Sequence, residues 1–146
     1  MKKAGKTLIW AAFAAYCALM LWLLFARTRG GIRGVNLVPF DTVKEFWTVM
    51  VQSLGNEGME GLFMVSFVNL AGNVVMFIPL GLFVSIFIGK RWYLSRLSCA
   101  AVIIAVETLQ YATARGSADI DDFILNMLGA AMGYGAFAVE RKFGRT

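Results

Sequence analysis

Histidine is absent from the 146-residue chain. That removes the commonest general acid–base side chain and the commonest metal ligand. Cysteine is scarce: Cys17 and Cys99 stand far apart, in or beside different apolar runs. They make no disulfide framework and no zinc-type spacing, and are expected as small buried hydrophobes. Charge is scarce too. Asp, Glu, Lys and Arg make up 16% of residues, against roughly 25% in a soluble domain. The net charge of +5 is not arranged as a basic–aromatic array, so nucleic acid is not an expected partner. No motif points to a cofactor or to a resident metal.

What fills the chain instead is apolar: 59% of residues are hydrophobic. A spanning helix needs roughly 20 such residues in a row. Four runs qualify, at about 8–26, 64–88, 94–113 and 120–139. The fold class expected is therefore an all-α integral membrane protein with four transmembrane helices in one domain, residues 1–146. The first run is too long for the core of a signal peptide, and Arg27 and Arg29 follow it without a cleavage-type site, so it reads as a retained span. The second exceeds what a span needs. It is expected to tilt, to kink near Pro79, or to start outside the membrane.

Basic residues orient such a chain. With the N-terminus inside, the inner side carries Lys2, Lys3, Lys6, Lys90, Arg91, Arg96, Arg141, Lys142 and Arg145; the outer side carries Arg27, Arg29, Arg33, Lys44 and Arg115. The bias predicts an N-in, C-in topology. In the first outer loop, Asp41 is a candidate helix N-cap. After it Val43, Phe46, Trp47, Met50 and Leu54 fall at helical spacing between polar residues. This predicts a short amphipathic helix, lying on the outer interface or packed over the bundle mouth.

Stepping 100° per residue sorts the polar residues of the spans. In "DIDDFILNMLGAAMGY" (119–134), Asp119, Asp122 and Asn126 share one stripe with Gly129 and Gly133, a close-packing spacing. Asp121 points nearly the other way and is expected to support the helix start. On the second span Asn69 and Asn73 lie at i, i+4, and on the third Glu107 and Gln110 at i, i+3. Glu107 stands about 12 Å along the helix from Arg115, hence below the surface. A carboxylate at mid-membrane costs about 2.5–3.5 kcal/mol on insertion scales, so such groups turn inward or line a wet cavity. One outer polar pocket is expected, walled by Asn69, Asn73, Glu107, Gln110, Asp119, Asp122 and Asn126, with Arg33 and Arg115 as nearby cations. The plainer alternative is interhelical hydrogen bonding that glues the bundle.

These residues together resemble the VanZ-like family of small bacterial membrane proteins. The stretches that carry the resemblance are "RGVNLVPF" (33–40), "NLAGNVVMFIPLG" (69–81), "ETLQ" (107–110) and "DIDDFILNMLGAAMGY". It adds Asn36 to the candidate ligand-binding set. It implies a place in the bacterial cytoplasmic membrane, a cell-envelope role, and resistance to the lipoglycopeptide teicoplanin, without implying a mechanism.

Two functions compete. In the first, the pocket binds a membrane lipid, a lipid-linked cell-wall precursor or a lipoglycopeptide antibiotic, with Arg33 and Arg115 holding phosphate or carboxylate. In the second, Glu107, Asp119 and Asp122 serve as general acid and base, or hold a divalent cation, in a membrane-embedded enzyme acting on a lipid-linked substrate. A pore is disfavoured, because the pocket residues do not continue into the inner half.

Overall fold

The computed structural model describes residues 3–26, 34–54, 56, 58–89 and 91–144. Five α-helices dominate. Helix α1 is Lys3–Leu21 and runs on through a π-helical turn, Trp22–Ala26. It is followed by α2 at Asp41–Ser53, α3 at Glu60–Ile88, α4 at Trp92–Ala112 and α5 at Ile120–Phe143. The first (with its π-helical extension), third, fourth and fifth are long and apolar enough to cross a membrane, and the chain is a multi-pass membrane protein. Helix α3 has 29 residues, about 43 Å at helical rise. It overruns a hydrocarbon layer of about 30 Å, and the expected span 64–88 begins later than the helix does. Pro79 lies inside α3 without ending it.

Helices α3 and α5 form the most extensive contact and run parallel, Val74 meeting Gly129 and Ile78 meeting Gly133. Their sequences explain how close they come. A Cβ at Gly129 would lie 2.0 Å from the Val74 carbonyl oxygen, and one at Gly81 would lie 1.9 Å from that of Ala130. Only hydrogen fits, so backbone meets backbone, as the Gly129–Gly133 spacing predicts. Helix α4 packs antiparallel against this pair. Helix α1 lies outside it, joined to α3 by stacking of Trp10 on Phe87 at 4.5 Å and by the Tyr16 hydroxyl, which donates to the Met76 carbonyl at 3.0 Å. The buried core is Met20, Phe77, Leu80, Cys99, Ile103 and Ala130. Cys99 is therefore the buried hydrophobe expected; Cys17 is half-buried.

Helix α2 joins the spans through one face. Phe46 packs against Phe63 and Phe67 of α3, and Val49 is buried. Trp47 and Leu54 stay exposed. The apolar residues expected on one side are thus divided between the bundle and the surface. Asp41 is not the N-cap. Phe40 holds that position at φ 64°, in the left-handed region, with no cap from its own side chain.

Candidate functional site

The end of the bundle where α4 turns into α5 gathers the polar residues, and two short strands organise it. Strand β1, Val35–Asn36, pairs in parallel with β2, Ala118–Asp119, setting Val35 against Ala118 and Asn36 against Asp119. The Ala118 N–H donates to the Gly34 carbonyl at 2.9 Å. This ladder fixes the chain entering α2 beside the chain entering α5.

Two carboxylates then tie the helix starts together. Asp119 is the N-cap of α5: its Oδ1 accepts from the Asp121 N–H at 2.9 Å. Its Oδ2 accepts from the Thr42 hydroxyl at 3.2 Å and from the Asn36 amide at 3.4 Å. Asp121 is 1% exposed. Its Oδ1 accepts from the Phe40 N–H at 2.5 Å and its Oδ2 from the Thr42 N–H at 2.8 Å. The cap that α2 lacks in its own sequence thus comes from α5, and the carboxylate meets the positive end of the α2 dipole.

Deeper in, the polar pairs cross between spanning helices in two tiers, one helical turn apart on α5. Asn73 of α3 donates to Asp122 Oδ1. Asn126 of α5 donates to Glu107 Oε1 of α4 at 3.0 Å. Asn126 is 2% exposed, and its own carbonyl oxygen has no partner among the described residues. Gln110 donates to the Leu24 carbonyl at 3.5 Å, linking α4 to the end of α1. On the flank of this cluster, Glu107, Thr108, Tyr111, Ala118 and Phe123 line a cavity of about 290 Å³. Among the described residues no three Cys, Asp or Glu groups come together as a metal site.

Residues 13–141 match the family model described as VanZ/LLP1. The chain belongs to this family. It is similar to Protein VanZ of Enterococcus faecium, with 25% identity over 147 residues, covering 94% of this chain and 78% of that protein. No solved structure matches the chain at a significant level. The matched segment of this VanZ/LLP1 protein takes in every candidate residue from Arg33 to Asn126.

Set against expectation, the fold brings Asn36 and Asp119 together, and likewise Asn73 with Asp122 and Glu107 with Asn126. Asn69 stands apart, exposed one turn from Asn73, and its side chain has no hydrogen bond among the described residues. Arg115 is half-buried in the α4–α5 turn, and its guanidinium has no partner among the described residues. Arg33 lies outside the described residues. The acids divide the labour differently from expectation: Asp119 caps α5, while Asp121, in the first turn of α5, turns its carboxylate to the start of α2. Sequence reasoning also missed Thr42. Helical stepping did carry a signal for Asp121, by turning it away from the Asp122 stripe, but nothing local names its partner.

Proposed function

We propose that this VanZ/LLP1 protein is a single-domain envelope protein of the bacterial cytoplasmic membrane, oriented N-in and C-in. Its outer polar end binds a lipid-linked cell-wall precursor or the lipid-bearing end of a lipoglycopeptide, and binding lowers susceptibility to teicoplanin-type antibiotics. The ligand-binding set is Arg33, Asn36, Asn69, Asn73, Glu107, Gln110, Arg115, Asp119, Asp122 and Asn126. The charge bias supports the orientation, and the family supports the envelope role.

One observation carries the binding reading. Among the described residues, the buried Asn126 carbonyl of the cross-helix cluster lacks a donor, and the half-buried Arg115 guanidinium in the nearby α4–α5 turn lacks an acceptor. A buried amide oxygen without a partner costs about 1–3 kcal/mol, so a ligand offering an N–H or O–H to Asn126 and a phosphate or carboxylate to Arg115 would satisfy both. The enzyme reading draws on the carboxylates at this end, Glu107, Asp119 and Asp122, as acid and base.

The test is teicoplanin and vancomycin susceptibility of a sensitive Gram-positive strain carrying wild type, Asp122→Asn or empty vector at matched membrane levels. Asn keeps an oxygen for Asn73 and removes the charge. Selective teicoplanin protection by wild type, lost in the variant, is expected. Full protection by Asp122→Asn would remove the function from this cluster, and no protection by wild type would remove the antibiotic role.

A further inference from the structure

At the opposite end of the bundle α3, α4 and α5 enclose a second, partly open cavity of about 240 Å³, lined by residues that include Ser85, Ser95, Arg96, Met127, Ala131 and Tyr134. That is about the liquid volume of eight waters. Two features mark it out from ordinary packing. Ser95 is 2% exposed, and its hydroxyl has no hydrogen-bond partner among the described residues. Arg96, next in sequence, is exposed at the cavity, with its guanidinium 4.8 Å from the Trp92 ring and 6.0 Å from the Tyr134 ring.

Depth decides what such a cavity suits. Ser95 lies one turn from the start of α4 at Trp92, and Ser85 one turn from the end of α3 at Ile88. Trp and Tyr concentrate where bilayer meets water, and they flank Arg96 here. The cavity therefore opens at the level of lipid phosphates and glycerol esters, below which Met127 and Ala131 give an apolar wall. Ser85 already donates to the Gly81 carbonyl at 2.6 Å, which leaves Ser95 as the hydroxyl without a partner among the described residues. A cation at the mouth, an unused hydroxyl within and an apolar floor follow one another as phosphate, ester carbonyl and acyl chain do in a phospholipid.

We propose that this cavity is a binding site for one anionic phospholipid, its phosphate paired with Arg96 and a glycerol-ester carbonyl accepting from Ser95. The site is separate from the polar cluster at the other end and does not depend on its function.

Native mass spectrometry of the purified full-length protein tests it, with phosphatidylglycerol or phosphatidylcholine added to the detergent. Wild type is expected to retain one phosphatidylglycerol in preference to phosphatidylcholine. Arg96→Gln should weaken retention about tenfold, the scale of a charge-assisted hydrogen bond, with Arg96→Lys intermediate. Ser95→Ala should weaken it severalfold without lowering thermal stability, because that hydroxyl has no partner to lose among the described residues. Equal retention of the two lipids by wild type would overturn the proposal, as would variants that bind like wild type, which is the result if the cavity holds only water. Displacement of the lipid by sn-glycerol 3-phosphate at equal concentration would overturn it as well, in favour of a site for a soluble phosphate.

Discussion

Asp121 and Asp122 are neighbours in sequence with opposite duties. Both Asp121 oxygens accept from backbone N–H groups, those of Phe40 and Thr42. An amide there must turn its NH2 toward one of these donors, whichever way it is set. Asp121→Asn is therefore expected to destabilise the fold by about 1–3 kcal/mol, seen as a lower midpoint of thermal unfolding in detergent and faster hydrogen exchange at Phe40 and Thr42. At Asp122 the same replacement keeps the acceptor that Asn73 uses, so Asp122→Asn is expected to unfold at the wild-type midpoint. Equal midpoints for the two variants would refute this division. The sequence carried half of it. A 100° step separates Asp121 from the stripe of Asp119, Asp122 and Asn126, and the stripe does meet Asn73 and Glu107. What it could not carry is that Asp121 caps a helix some 80 residues earlier, because a cap supplied from elsewhere leaves no local motif. Phe40 shows the same gap from the other side: a left-handed Phe before a helix has no sequence signature at all.

Among the elements, the parallel contact of α3 with α5 depends on glycine. Gly129→Ala would set a methyl 2.0 Å from the Val74 carbonyl oxygen, and the helices must separate to admit it. A loss of about 1–3 kcal/mol is expected, as for other overpacked sites, along with a changed approach of Asn73 to Asp122. Gly72→Ala is the control. It lies on the same α3, yet a Cβ there meets nothing within 4 Å, and Ala favours a helix over Gly by about 1 kcal/mol. Gly72→Ala should unfold no earlier than wild type while Gly129→Ala unfolds earlier, and the reverse order would discredit this packing. The four spans were legible because each is a long apolar run, and their ends shifted by only a few residues. The β1–β2 ladder was not legible. Two residues carry no periodicity, and their pairing depends on where two distant loops are brought by the helices.

For the molecule as a whole, four spanning helices put residues 3 and 144 on the same side of the bilayer, and the charge bias predicts that side to be the cytoplasm. Reporter fusions active only inside or only outside, placed at each end and in the 113–118 turn, check this. The two ends should agree and the turn should report the opposite side. A turn on the cytoplasmic side would move the polar cluster away from the leaflet where a lipoglycopeptide acts.

The bonds that gather the cluster's upper rim join residues 77–83 positions apart along the chain. A ribosome adding 5–20 residues per second delivers the two halves about 4–16 s apart. During that interval α2 exists without the carboxylate that closes its first turn, and the chain at Val35–Asn36 has no strand to pair with. Insertion of α5 therefore does two things in one event: it adds a span, and it completes a rim whose other half was made seconds before. A chain arrested in synthesis before Ala118 would hold its earlier spans in the bilayer and have no assembled site.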